Sequence, residues 1–159
     1  MPCPKCLEDP NYHSFIQIGT MNDVRVYYTL PSKVINAKDS SENTANFKVH
    51  LDELKGTKWI WIFDCHEMES TQYSSITFMF KVLRVLPPDQ INAIEGLWFI
   101  RQSSWMQSML SLVQQTFNVG VLSNLKIFKG EKLELYIQLK KSGLSGTALK
   151  ALGAIINQA

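Results

Sequence analysis

Three short, strongly apolar runs dominate the middle of the chain, at residues 58–64, 97–100 and 125–128. Between them, residues 73–86 and 103–117 carry apolar side chains three and four positions apart, the spacing of helices that pack along one face. Strands that are this close in sequence and are joined by helices pair in parallel through crossover connections. The pattern therefore predicts an α/β fold with a mixed, largely parallel β-sheet and crossover helices.

The first run is apolar on both of its faces. Successive strand residues point to opposite sides, so Trp59, Trp61 and Phe63 share one face, and Ile60 and Ile62 share the other. A strand that is apolar on both sides is buried on both sides. We therefore expect this strand, which ends in an acid at position 64, to lie at the centre of the sheet.

Shorter patterns precede this unit. Residues 14–18 and 24–29 favour strands, and the intervening residues 19–23 indicate a hairpin. Phe47, Leu51 and Leu54 then fall at helical spacing, which predicts an amphipathic helix that begins near position 40 and ends near Gly56.

Two amphipathic helices are predicted after the third strand. Residues 131–141 carry Leu133, Tyr136 and Ile137 on one side. The second helix covers residues 147–157, and its apolar stripe consists of Leu149, Leu152, Ile155 and Ile156.

The length of 159 residues and the hydrophobic fraction of 45% fit one well-filled core rather than two domains. We expect an irregular N-terminal arm at residues 1–13, because its prolines exclude a helix. The folded domain is expected at residues 14–144, and a C-terminal amphipathic helix at residues 145–159.

Charge and composition exclude several functional classes. The 16 basic and 14 acidic residues give a net charge of +2, and no basic run is interleaved with aromatic residues, so nucleic acid is not expected as a partner. No apolar run reaches the roughly 20 residues that span a bilayer, and the first residues lack the apolar core of a signal peptide. Three cysteines argue against a disulfide framework. We therefore expect a cytoplasmic protein.

The helix at residues 103–117 has an unusually wide apolar surface. At 100° per residue, its apolar side chains spread over about 160° of the circumference, more than the roughly 100° stripe of an ordinary surface helix. One interpretation is a helix wedged between the sheet and a neighbouring helix. The other is a mobile lid over an apolar ligand, for which the flexible side chains of Met106 and Met109 are suited.

Five consecutive elements resemble a known family in their pattern and order. They are the strand at residues 59–64, the strand and turn at 97–104, the helix at 105–117, and the strand 125–128 followed directly by the helix 131–139. Together they are similar to the CRAL-TRIO (Sec14-like) lipid-binding domains, in a minimal, BCH-like form without the N-terminal helical lobe. The resemblance implies that residues 103–117 form a gate helix over a lipid pocket. The family's Asn-x-Pro after the second strand here reads Arg101-Gln102-Ser103, so head-group contacts are not carried over.

The function that the resemblance implies is binding, and possible transfer, of a small hydrophobic ligand or phospholipid between sheet and gate helix, with transient contact to a membrane surface as a peripheral protein. The residues predicted to line the pocket are Trp59, Trp61, Phe63, Trp98, Ile100, Trp105, Met106, Met109, Leu110 and Val113. The alternative is a BCH-type protein-interaction scaffold, in which large side chains fill the cavity and the ligand is a protein partner.

Cys3 and Cys6 form a Cys-x-x-Cys pair in the N-terminal arm. The first interpretation is an arm with two free thiols and no metal. A zinc site is the alternative, and it needs four ligands. His13, Cys65 and His66 are available, the last two from the end of the strand at 59–64, and we take His13 and Cys65 to complete the site. A redox pair is the weakest interpretation, because the pair does not open a helix that follows a strand.

Asp64, His66, Glu67 and Glu69 cluster just after the predicted central strand, where α/β proteins often place functional groups. A carboxylate and a histidine could transfer protons, but a polar loop that caps the strand explains the same residues. No nucleophile elbow, phosphate loop or His-Glu-x-x-His motif is present. We therefore expect no enzymatic activity and no catalytic residues.

Overall fold

The structure, a computed structural model, describes residues 3–36, 38, 40–69, 73–108, 111 and 124–158. Five strands form one sheet in the order β1-β2-β3-β4-β5, which is also their order along the chain. β1 is antiparallel to β2, and the other neighbours pair in parallel. The strands are β1 (Ile16–Met21), β2 (Val24–Thr29), β3 (Trp59–Asp64), β4 (Ile94–Ile100) and β5 (Leu125–Ile127). The predicted α/β fold with a mixed, largely parallel sheet is confirmed, with β3 at its centre.

The described residues contain six α-helices with assigned bounds: α1 (Pro4–Glu8), α2 (Ser41–Asp52), α3 (Tyr73–Arg84), α4 (Pro88–Asn92), α5 (Lys132–Lys141) and α6 (Gly146–Gln158). Residues 104–108 are also helical. The prediction that prolines exclude a helix from the N-terminal arm was wrong. A proline is tolerated in the first turn of a helix, where its missing N–H is not needed, and Pro4 occupies that position in α1.

The predicted hairpin is present, but its turn is shorter than the sequence suggested. β1 continues to Met21, and only Asn22 and Asp23 connect it to β2. Both residues have positive φ angles, 48° and 68°, as the primed turns of two-residue hairpins require. A register shift between Gln17 and Gly19 marks a bulge in β1.

The sheet is covered on both faces. On the first face, α2 and α3 pack their apolar side chains against the odd-numbered residues of β3, and Met106 joins the same cluster. On the second face, α5 and α6 cover Ile60 and Ile62 of β3 and Trp98 and Ile100 of β4. α6 lies so close to β1 that a Cβ on Gly19 would be 2.4 Å from the backbone nitrogen of Ala148. The C-terminal helix is therefore part of the second-face core.

The helix α5 is oriented differently from the prediction. Leu135 and Leu139 are its buried residues, whereas Leu133 is 71% exposed and Ile137 is 42% exposed. The prediction that α5 packs through the side formed by Leu133, Tyr136 and Ile137 was therefore wrong. Both sides of the helix carry apolar residues, and the side that contains Leu135 and Leu139 meets β4 and α6.

Within the described part of the chain, no helix combines the length and the apolar character needed to cross a bilayer.

Candidate functional site

The structure does not bring the ten predicted pocket residues together. Trp59, Trp61 and Phe63 lie on the first face of the sheet, with Met106 and the partly buried Trp105 in the same cluster. Trp98 and Ile100 lie on the second face. The pairing of Phe63 with Phe99 and of Ile62 with Trp98 sets this division, because neighbouring residues in a parallel register share a face. Met109, Leu110 and Val113 lie outside the described residues.

Aromatic side chains fill the first face over β3 and β4. The rings of Trp61 and Phe63 are stacked with centroids 4.6 Å apart, and those of Phe63 and Phe99 are 4.8 Å apart. Phe47 from α2 stacks on Trp61 at 5.7 Å, and Phe80 from α3 lies 6.2 Å from Phe63. Trp61, Phe63 and Phe99 are all completely buried. Trp61 and Phe63, which were predicted to bind the ligand, therefore contact the helices that cover them.

A polar centre lies at the carboxyl ends of the parallel strands. The carboxylate of Asp64, the last residue of β3, is completely buried and forms an ion pair with Arg101, the residue after β4. Arg101 donates through both Nε and Nη2, a two-point contact in which the Nε to Oδ1 distance is 2.9 Å. The hydroxyl of Tyr28 donates to Oδ2 at 2.5 Å, and the amide of His66 donates to Oδ1 at 3.1 Å. The sequence pattern indicated Asp64 but not its partners Tyr28 and Arg101.

The electrostatics of this centre follow from burial and from the carboxylate. Burial and the negative charge of Asp64 raise the pKa of Tyr28, so its hydroxyl stays protonated and donates. Burial alone would lower the pKa of Arg101, but the hydrogen bonds and charge of Asp64 outweigh it and raise that pKa. Arg101 also has a positive φ of 54°, a strained backbone conformation of the kind that clusters at functional sites.

A cleft of about 850 Å³ opens beside this centre, between the carboxyl ends of β3 and β4 and the helices α5 and α6. Its lining residues are His66, Arg101, Gln102, Gly130, Glu131, Lys132, Leu133, Glu134, Leu135 and Ile156. None of the ten predicted pocket residues is among them. The amide nitrogen of Gln102 donates to the carbonyl of Phe128 at 3.1 Å, whereas its buried Oε1 has no hydrogen-bond partner among the described residues.

The groups considered for catalysis are arranged differently from a proton-transfer pair. The carboxylate of Asp64 is engaged by Arg101 and Tyr28, and it meets His66 only through that residue's backbone amide. The imidazole Nε2 of His66 lies 3.5 Å from a carboxylate oxygen of Glu67, whose side chain is exposed.

A second group of chemically active side chains lies between the N-terminal arm and α2. The ligand atoms of Cys3, Cys6, His13 and His50 all lie within 4.8 Å of one another. The predicted fourth ligand, Cys65, is not in this group. It is buried in the first-face core after β3, and its place is taken by His50 from the last turn of α2.

The sequence contained a signal for His50. This residue lies at i+3 from Phe47 and at i−1 from Leu51, on the stripe that α2 buries. A histidine on a buried stripe needs a polar partner, and the Cys-x-x-Cys pair still lacked part of its ligand set. Because α2 was predicted only as a packing element, His50 was not included among the candidate ligands.

Burial sets the protonation of these groups in the structure. It lowers the pKa of His13, and together with the nearby His13 it lowers the pKa of His50 to about 4. Burial also raises the pKa of Cys6 to about 12. Cys65, buried next to the charge of Asp64, has its pKa raised to about 12 as well. Both histidines are therefore neutral at pH 7.

Comparison of the sequence with models of known protein families and with curated proteins found no match. The fold is that of an α/β protein with a five-stranded mixed sheet. It carries a cleft beside a buried Asp–Arg pair at the carboxyl ends of its parallel strands, and a Cys₂His₂ cluster between its arm and α2.

Proposed function

We propose that this protein binds a small amphipathic, lipid-like ligand in the cleft at the carboxyl ends of β3 and β4. The observation that carries the proposal is a cleft of about 850 Å³ that is lined both by the exposed apolar side chain of Leu133 and by Arg101, which Asp64 holds in an ion pair. Ligand pockets of this size combine apolar walls with a few convergent polar groups.

The chemistry of the lining suggests how such a ligand lies. Leu133 offers an exposed apolar side chain to a hydrocarbon portion, and the buried Leu135 and Ile156 belong to the same lining. A polar head group would lie beside Gln102 and Arg101. Arg101 is held in place by Asp64 and supplies a fixed positive charge beside it. The ends of parallel strands are also where open α/β sheets commonly bind ligands.

The proposed function is the one that the CRAL-TRIO resemblance implies, a binding protein rather than an enzyme. The proposed pocket, however, lies on the other face of the sheet from Trp59, Trp61 and Phe63. The order of elements from β3 to α5 is the order expected for a minimal Sec14-like domain. The pocket is proposed on the side of α5 and α6, because aromatic rings and the helices α2 and α3 occupy the first face. Leu133, which is exposed at the cleft, gives α5 an apolar side chain suited to brief membrane contact.

The test compares two charge substitutions on α5. Leu133→Asp places a carboxylate in the cleft wall, and Ile137→Asp makes a similar change one turn away, outside the cleft. Both side chains are exposed, so both variants are expected to fold. Native mass spectrometry of freshly purified protein, followed by organic extraction, measures the bound ligand. We expect a stoichiometric lipid mass in the wild type and in Ile137→Asp, and its loss in Leu133→Asp.

A protein-interaction scaffold of the BCH type is the second candidate. It is favoured by the first face, where Trp59, Trp61 and Phe63 are at most 2% exposed and fill the space over the sheet themselves. The same mass measurement separates the two candidates. A bare polypeptide mass in the wild type, with no lipid in the extract, would reject the ligand-binding proposal in favour of a scaffold that binds a protein partner.

A further inference from the structure

Four side chains that ligate transition metals converge where the N-terminal arm meets α2. Cys3 and Cys6 come from the arm at α1, His13 follows the turn after it, and His50 reaches in from α2. Cys3 is 2% exposed and His13 is 1% exposed. Cys6 and His50 are half-buried beside them, and the group lies in a part of the chain that the proposed ligand cleft does not use.

Four of the six distances between the ligand atoms are close to those of a tetrahedral metal site. With Zn–S bonds of about 2.3 Å and Zn–N bonds of about 2.0–2.1 Å, a tetrahedron places two nitrogens about 3.3–3.4 Å apart, and a sulfur and a nitrogen about 3.5–3.6 Å apart. The His13 Nδ1 to His50 Nε2 distance is 3.3 Å. Cys6 Sγ lies 3.4 Å from His13 Nδ1 and 3.3 Å from His50 Nε2, and Cys3 Sγ lies 3.7 Å from His13 Nδ1.

The hydrogen bonds of Asn43 determine which nitrogen of His13 carries its proton. The amide nitrogen of Asn43 donates to the carbonyls of Asn36 at 3.3 Å and Lys38 at 2.9 Å. Its oxygen Oδ1 is therefore the atom that faces His13, and it can only accept. The Nε2 of His13, 2.8 Å away, donates to it, so the neutral ring presents the lone pair of Nδ1 to the two thiols and to His50.

This arrangement is the outer shell that metal-binding histidines usually have, in which the second ring nitrogen donates to a fixed oxygen. Asn43 is itself 1% exposed, and its backbone N–H donates to the Ser40 side chain that caps α2. The single lone pair of His13 Nδ1 faces Cys3, Cys6 and His50, and it can accept only one well-aligned hydrogen bond at a time. A cation bound at the centre of the four groups would satisfy all of them.

We propose that Cys3, Cys6, His13 and His50 form a structural Zn²⁺ site. Two sulfur and two nitrogen ligands in a tetrahedron select zinc among the common metal ions. Four protein ligands leave no open position for substrate, so the site is structural rather than catalytic. The two thiols lose their protons to solvent on binding, and the ion joins the arm to α2 across the 37 residues that separate His13 from His50.

The experiment measures metal in the full-length chain, purified under reducing conditions without a chelator. Elemental analysis is expected to give one zinc per chain. The native mass is expected to exceed the denatured mass by about 63 Da, since an ion of about 65 Da replaces two protons. Cys6→Ala and His50→Ala are expected to lose the zinc. Cys65→Ala removes the remaining cysteine of the chain, which lies outside the cluster, and is expected to retain it.

A second measurement on the wild type does not depend on whether the variants fold. Chelation followed by addition of Co²⁺ is expected to give intense visible bands of a tetrahedral ion and a thiolate charge-transfer band. The proposal is overturned by a wild type that binds no zinc even after dialysis against it, by the weak spectrum of octahedral Co²⁺, or by a Cys65→Ala variant that loses zinc while Cys6→Ala keeps it.

Discussion

Asp64 accepts four hydrogen bonds while it is completely shielded from solvent. Two come from the guanidinium of Arg101, one from the hydroxyl of Tyr28 and one from the amide of His66. A buried carboxylate is tolerated only when such donors replace the water that it loses. The ion pair therefore fixes the position of Arg101 beside the cleft, and it makes the stability of the fold depend on one side chain.

Replacing Arg101 with methionine should destabilise the protein strongly. The substitution keeps much of the side-chain volume but leaves the buried carboxylate of Asp64 without a counter-charge and without two of its donors. Removing one partner of a buried pair typically costs about 3–5 kcal/mol. Urea denaturation at pH 7, followed by tryptophan fluorescence, measures the change in the free energy of unfolding.

The matched control is Lys58→Met. Lys58 lies 3.7 Å from Glu95 in an ion pair whose side chains are 72% and 42% exposed. Solvent-exposed pairs contribute about 0–1 kcal/mol, so this variant should unfold almost as the wild type does. Equal losses of stability in the two variants would contradict the role assigned to the Asp64–Arg101 pair.

Sequence periodicity predicted most helices but did not always predict their packing faces. For α2 both were correct, because its exposed side is polar and Ser40 caps its first turn through a hydrogen bond to the N–H of Asn43. For α5 the helix was predicted and the face was wrong. Apolar and aromatic residues are distributed around the whole circumference of this helix: Leu133, Leu135, Tyr136, Ile137 and Leu139. With apolar residues on both sides, only the tertiary packing selects the buried one.

Two truncations on α5 test this assignment. Leu139→Ala removes a completely buried side chain from the second-face core and should cost about 2–5 kcal/mol. Ile137→Ala, two positions earlier on the same helix, removes a side chain that is 42% exposed and should cost less than about 1 kcal/mol. Thermal unfolding by circular dichroism ranks the two variants. A larger loss in Ile137→Ala would place the wrong side of α5 against the sheet.

The architecture as a whole was predictable because alternating strands and helices leave few ways to build a sheet. The site was not, because it depends on register. Trp98 was grouped with Trp61 as a pocket residue, but the pairing of Trp61 with Leu97 sends Trp98 to the opposite face. The Cys₂His₂ cluster joins residues 37 or more positions apart through His50, a contact that depends on how the arm folds over α2.

Removing the metal from the proposed zinc site should lower the stability of the whole fold. A ligand that binds only the folded chain stabilises it by several kcal/mol when it is well above its dissociation constant. For a chain of this size, that corresponds to a fall in melting temperature of roughly 10 °C on chelation. Differential scanning calorimetry with and without a chelator measures it. The Cys6→Ala variant, which has no metal to lose, should melt at the same temperature in both buffers.

The agreement between strand order and chain order has a consequence for how the protein forms during synthesis. Each strand pairs with the strand that precedes it in the chain, so the sheet can form in the order β1 to β5 as the chain is synthesised. The second face is different. α6 closes it by packing on β1, with Thr147 receiving a hydrogen bond from the amide of Thr20 across 127 residues. A nascent chain that lacks α6 therefore presents the apolar side of its first hairpin to solvent or to chaperones until α6 has been translated.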